Sequence, residues 1–155
     1  MRLSILSIAA ALSTLIACNS QQAKNNGIND STATNALDTV PVNKCYEYIK
    51  GKDTVTMRAV YLGNVVSGML TYKLDGKDAN KGTFTGDMKG PVLVGYYTFF
   101  AEGKQSVRQV AFRKNGTTLE EGYGNIYTSK DSAIFSNIDS LQYNNSIQLK
   151  ETPCK

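Results

Sequence analysis

The residues best equipped for chemistry in this chain are its three cysteines, Cys18, Cys45 and Cys154, in a sequence without a histidine. A thiolate can attack an electrophile, bind a soft metal or pair with another thiol. The cysteines are too far apart for a C-x-x-C pair, and a metal site would need carboxylates to complete it. Without histidine, no serine or threonine can be activated in the commonest way; a lysine-assisted serine or a carboxylate pair stays open. Glu120 and Glu121 are neighbours in a predicted strand, so their side chains point to opposite faces and cannot cooperate. Asp75-Gly76-Lys77-Asp78-Ala79-Asn80 lacks the ligand spacing and closing glutamate of a calcium loop. Gly122 and Gly124 flank Tyr123 but precede no helix, so they form no phosphate cradle. The reading assigns no catalytic residue, no metal ligand and no cofactor, and expects a protein that is not an enzyme.

The setting of Cys18 is the most specific signal. Met1-Arg2 carries a positive charge, and Leu3 to Ile16 is apolar or small throughout. That run is shorter than the roughly 20 apolar residues a membrane-spanning helix needs. A basic start, a short apolar run and a small residue before a cut are the parts of a secretory signal. Here Leu15-Ile16-Ala17 is followed by Cys18. This segment resembles the lipobox of bacterial lipoproteins. The resemblance implies a signal peptide over residues 1–17, acyl chains on the Cys18 thiol, cleavage before Cys18 and acylation of the new amino terminus. Several acyl chains hold a protein on a membrane where one alone binds only marginally. Asn19 occupies the position at which some lipoproteins carry an inner-membrane retention aspartate. The resemblance therefore favours the bacterial cell envelope, and the outer membrane within it.

With Cys18 lipidated, Cys45 and Cys154 remain. An even remainder in an exported, oxidising setting argues for a disulfide, with two metal-binding thiols as the alternative. The net charge of +4 is dispersed, and Arg113-Lys114 is the longest basic run of the domain. A nucleic-acid binder would gather its basic residues into a stripe or patch, so no nucleic acid is expected as partner.

Residues 18–43 comprise the lipidated cysteine and a tether rich in Asn, Ser, Thr and Gln. Such a composition cannot bury enough apolar surface to offset ordering, which predicts disorder. Five D-[ST] steps, two of them in the tether at Asp30-Ser31 and Asp38-Thr39, resemble an O-glycosylation pattern of one bacterial group. From residue 44 to 155 the pattern is short strands and tight turns. Thr54 to Leu62 alternates, and Gly63-Asn64 is a hairpin signal. Val65 to Leu74 places Val66, Gly68, Leu70, Tyr72 and Leu74 on one face. Val92 to Ala101 is apolar on both faces, as in the most buried strand or one whose outer side is covered. Ser106 to Lys114 and Thr117 to Tyr123 flank Asn115-Gly116, the strongest hairpin signal in the chain. No segment sustains a helical period over three turns.

These features predict an all-β domain, an antiparallel up-and-down meander of about eight strands. In 112 residues the economical arrangement is a closed or nearly closed barrel, which removes unpaired edges; a β-sandwich is the alternative. The pattern resembles the lipocalin-like, or calycin, barrels of small envelope lipoproteins.

One polar site emerges from the pleat. Arg108 falls on the face of Val110 and Phe112, and Glu121 on the face of Leu119 and Tyr123. Counting outward from a two-residue Asn115-Gly116 turn pairs Phe112 with Leu119 and Val110 with Glu121. Arg108 is then diagonal to Glu121, with Glu102 near the same rim. A charge on an apolar face must be paired or wet. The expectation is an Arg108–Glu121 pair, with Glu102 as a third member, serving as a barrel-closing ion pair or as a polar anchor for a ligand. Tyr61, Tyr72, Phe84, Phe112 and Tyr123 on inward faces either fill the core or line a pocket. The functional expectation is a monomeric, membrane-anchored envelope lipoprotein that binds a small apolar or amphipathic ligand in its barrel. The alternative is a structural or protein-interaction module, an inhibitor for example, with a filled barrel and an envelope protein as partner.

Overall fold

A computed structural model describes residues 40–155, apart from Glu102, Asn145 and Ser146. The signal-like segment, Cys18 and the tether up to residue 39 lie outside the described residues, and so does Glu102. Ten strands follow one another without a helix among the described residues. They are β1 (Val42–Lys50), β2 (Asp53–Leu62), β3 (Val65–Lys73), β4 (Asn80–Lys89), β5 (Val92–Ala101), β6 (Lys104–Asn115), β7 (Thr118–Glu121), β8 (Ile126–Ser129), β9 (Ser132–Phe135) and β10 (Gln148–Thr152).

The neighbour order β5-β4-β3-β2-β1-β10-β7-β6, with β6 pairing back onto β5, closes an eight-stranded antiparallel barrel. Consecutive barrel strands pair because each is joined to the next by a tight turn or, between β3 and β4, by a six-residue loop; only β10 arrives from a distance, after a side excursion. That excursion is the β8–β9 hairpin, in which β9 runs parallel to β6 at Val107 and Arg108. The turns at Gly51, Gly63, Gly90, Gly103 and Gly116 all carry a glycine at positive φ, where an L side chain would be strained. One end of the barrel, here called proximal, receives the chain at Val42 and carries the β2–β3, β4–β5 and β6–β7 turns. The distal end carries the β1–β2, β3–β4 and β5–β6 turns.

Cys45 and Cys154 are bonded to each other, with Cα atoms 5.2 Å apart and a sequence separation of 109. The bridge staples β1 to the chain just beyond β10, its neighbour in the barrel wall. Two strands longer than expected explain the differences in boundaries. β1 starts at Val42, inside the stretch read as tether, because Val42 and Asn43 pair with Tyr61 and Val60 of β2. A partner strand supplies backbone hydrogen bonds that composition alone did not reveal. In the β6–β7 hairpin Asn115 belongs to the strand and pairs with Thr118, so Gly116-Thr117 makes the turn. Phe112 therefore faces Glu121, and Lys114 faces Leu119. This register is displaced by two residues from the expected one, so every side chain keeps its face.

Alternation fills the barrel. Val55, Met57, Val66, Leu70, Phe84, Leu93, Tyr97, Phe112, Leu119 and Leu149 are all less than 2% exposed and belong to one cluster with Tyr46, Tyr72 and Val110. A small barrel must bend its strands sharply, and glycines mark the bends. Gly86 and Gly95 face each other on β4 and β5, and a Cβ built on Gly86 would lie 2.5 Å from the Cα of Gly95. A second, smaller cluster lies outside. Val94 and Ala111, on the outer face of β5 and β6, are covered by Phe135, Ile138, Leu141 and Tyr143. This cover is why Val92 to Ala101 is apolar on both sides. It stops short of Tyr96 and Phe100, which stay 47% and 63% exposed.

Candidate functional site

Arg108, near the start of β6, faces Tyr97 of β5 across the ladder. Glu121 is the last residue of β7. The barrel wall brings both to the distal end of the interior. The Arg108 Nη2 lies 3.8 Å from Glu121 Oε1. Two phenols hold the carboxylate more tightly: Tyr72 donates its hydroxyl to Oε1 at 2.7 Å, and Tyr123 donates to Oε2 at 3.0 Å. The Arg108 guanidinium carbon sits 4.7 Å from the ring centre of Tyr72, 5.6 Å from that of Tyr97 and 5.9 Å from that of Phe99. Tyr97 and Phe99 are themselves stacked, with centroids 4.8 Å apart. The cation is thus held against three π faces, an attraction that strengthens where water is excluded. Its Nε is buried and makes no hydrogen bond.

Electrostatics follow from depth. Glu121 is 5% exposed, while the Arg108 side chain is 38% exposed at the mouth. Burial pushes the Glu121 carboxyl above the ordinary carboxylate range, against the opposing pull of the Tyr72 bond, the Arg108 charge and the Tyr123 bond. Burial first, and the Glu121 charge second, push the Tyr72 and Tyr123 phenols up. Burial also pushes Tyr97 up to about 12, where its hydroxyl stays protonated and donates to the Asn80 carbonyl at 3.0 Å. The three phenols therefore stay protonated as donors, Tyr72 and Tyr123 to Glu121 and Tyr97 to the Asn80 carbonyl.

The proximal mouth has its own polar closure. Lys44 donates to both carboxylate oxygens of Glu151, at 2.8 and 2.9 Å. Below it the hydroxyls of Tyr46 and Tyr61 share a hydrogen bond at 3.2 Å. On the outer wall, Arg113 Nε and Nη2 both reach Glu120 Oε2, at 2.9 and 2.7 Å. The Arg113 guanidinium also lies 4.2 Å from the Tyr143 ring centre, which pins the covering segment to β6. The Arg113 hydrogen bond holds the Glu120 carboxyl below the ordinary range.

The structure thus brings Arg108 and Glu121 together on the inner face, through a register that places Glu121 opposite Phe112. Tyr72, Phe84 and Phe112 stand in the packed interior. Tyr61 is partly buried against it, and Tyr123 is 45% exposed at the rim, with its hydroxyl on Glu121. Sequence reasoning missed Tyr97 and Phe99, because a strand apolar on both sides gives no parity signal. It also missed Lys44–Glu151, since these residues lie 107 positions apart and no local pattern pairs them. Glu120 and Glu121 do diverge, one to Arg113 outside and one to Tyr72 inside.

The hollows of the size a small molecule needs, about 360 to 470 Å³, open mainly on the outer wall among the described residues. One of about 470 Å³ lies where β1 and β10 diverge beyond Glu47, lined by Glu47 to Lys50, Gln148, Lys150 and Thr152. Compared with protein-family models, curated proteins and solved structures, the chain matches none.

Proposed function

We propose that this protein is a lipid-anchored lipoprotein of the bacterial envelope, non-enzymatic, whose barrel is a solid support for an outer interaction surface. The observation that carries this reading is the interior. Ten inward side chains are almost completely buried in one cluster, and each mouth is closed by an ion pair. A ligand inside would have to displace part of that packing. The lipobox-like Leu15-Ile16-Ala17-Cys18 supports the anchor, and the Cys45–Cys154 bridge suits an oxidising compartment. The barrel's likeness to lipocalin-type envelope proteins rests on strand pattern and closure.

The outer surface supports the choice of a protein partner. Tyr96 and Phe100 on β5, and Ile126 and Tyr127 on the two faces of β8, are between 47% and 63% exposed. They lie along the strand order β5-β6-β9-β8. Aromatic residues are enriched where proteins meet. β8 is also an edge strand, with β9 as its neighbour on one side, and an unpaired edge invites strand addition.

Photocrosslinking in the native bacterium tests the reading. A photoreactive residue at Phe100 or Tyr127 should trap the same envelope protein, and one at Thr71, on β3 outside that run of strands, should not. Equal yields of that protein from all three positions, or none from any, would overturn it.

A further inference from the structure

We propose that the proximal end of the barrel is a docking face for the lipid surface itself, so that the anchored domain holds one orientation. The inference rests on the lipid-anchor reading of Cys18 and deepens it. The exposed apolar side chains of this domain fall into two chemical sets. Those on β5, β8 and the Glu121 rim are largely aromatic: Tyr96, Phe100, Tyr123 and Tyr127, with Ile126. Those around the chain's point of entry are all aliphatic: Val40, Val42, Leu62, Val65 and Met69, each between 38% and 61% exposed. Ile49, at the distal end of β1, stands apart from both.

The aliphatic set is assembled by the register. Leu62 and Val65 face each other at the tip of the β2–β3 hairpin, on either side of Gly63-Asn64. Val42 pairs with Tyr61, one residue from Leu62. Val40 lies two residues before Val42. Met69 pairs with Arg58 further along the outer face that carries Leu62 and Val65, beside a mostly apolar hollow of about 360 Å³ lined also by Val60, Gly68 and the disulfide. Arg58, exposed at its edge, makes no ion pair among the described residues, which leaves its guanidinium available to a lipid phosphate.

Two arguments select a lipid surface as occupant. The chain leading from Cys18 arrives at this end, at Val42. Twenty-one residues lie between Cys18 and Val40, a span of up to about 75 Å at full extension, so the linkage leaves every orientation within reach. A tether of that length holds the domain near the surface at an effective concentration on the order of millimolar. A face too weak to bind vesicles from dilute solution then decides the orientation. The second argument is chemical: aliphatic side chains around a hairpin tip gain burial among acyl chains without the directional partners that tyrosines demand.

The test uses the full mature lipoprotein in nanodiscs of phosphatidylethanolamine and phosphatidylglycerol, with and without lipids carrying a paramagnetic doxyl group. Amide signals of Leu62 to Val65 and of Met69 should broaden more than those of the distal β3–β4 loop at Gly76 to Ala79. L62S/V65S, substituted at exposed sites, should keep the wild-type thermal midpoint and lose that difference. Uniform broadening, or stronger broadening of the distal loop, would overturn the docking face while leaving the anchor intact. Absence of acyl chains on Cys18 in the intact mass of the same sample would overturn the anchor, and the docking face with it.

Discussion

Glu121 offers the sharpest test of how the distal mouth is held. Its carboxylate accepts from the buried Tyr72 hydroxyl and from Tyr123, with Arg108 at 3.8 Å. Replacement by alanine leaves the Tyr72 hydroxyl buried without an acceptor, which costs about 1–3 kcal/mol. The lost side-chain packing, and the lost bond from half-exposed Tyr123, bring the total for Glu121→Ala to about 3 kcal/mol. For a domain of this size that is a fall of about 12 °C or more in melting temperature. Glu121→Gln behaves differently. Its amide oxygen accepts from Tyr72, its amide nitrogen donates to the Tyr123 oxygen, and Arg108, 38% exposed, is rehydrated. The expected change at pH 7 is within about 1 kcal/mol, since replacing a buried charge by a neutral group is often close to neutral.

The pH dependence separates charge from hydrogen bonding. Burial raises the Glu121 carboxyl above its ordinary range, so the folded state holds that proton more tightly than the unfolded state does. The resulting stability is complete below the ordinary glutamate value of about 4.3 and is lost as pH rises through the higher folded value. Urea unfolding of wild type and Glu121→Gln at several pH values between about 4 and 8 should show wild type gaining relative to the variant toward acid. A wild-type advantage that grows toward neutral pH would refute the reasoning. So would Glu121→Gln falling as far as Glu121→Ala, because the charge and not the acceptor would then hold the mouth.

Three further outcomes follow from the packing. Replacing both Cys45 and Cys154 by serine should lower unfolding free energy by about 2–4 kcal/mol in urea titrations; an unchanged midpoint would show that the clasp restrains little. Gly86→Val should cost at least about 1–3 kcal/mol and broaden the β4–β5 amide spectrum, since its side chain would meet the Gly95 backbone; wild-type stability would contradict the tight bend. Tyr143→Ala should release the segment covering Val94 and Ala111, seen as faster hydrogen exchange at residues 136–143 with little change at β2; unchanged exchange would show that Arg113 does not pin it through this ring.

Much of the barrel could be read from the chain because its strands alternate and its turns carry glycine. The inward set Val66, Leu70 and Tyr72 was visible from period two alone, and the Arg108–Glu121 meeting needed only faces, which a two-residue error in register preserves. What escaped detection depended on partners distant in sequence. Val42 and Asn43 close a polar stretch just after Pro41 and read as loop until β2 pairs with them. Tyr97 and Phe99 could not be assigned inward while the outer side of β5 was equally apolar, and that outer side is apolar because residues 135–143 fold back over it. The β8–β9 hairpin, with its parallel contact to β6, carries no local signal that would place it.

Native mass spectrometry of the lipoprotein extracted from its own membranes tests most directly whether the barrel is a solid support. The account predicts the mass of the acylated chain with no small molecule retained, and inner-face signals of Leu70, Phe84, Leu119 and Leu149 that do not move when envelope lipid extract is added. A small molecule retained at one per chain, with those four signals shifted, would contradict it.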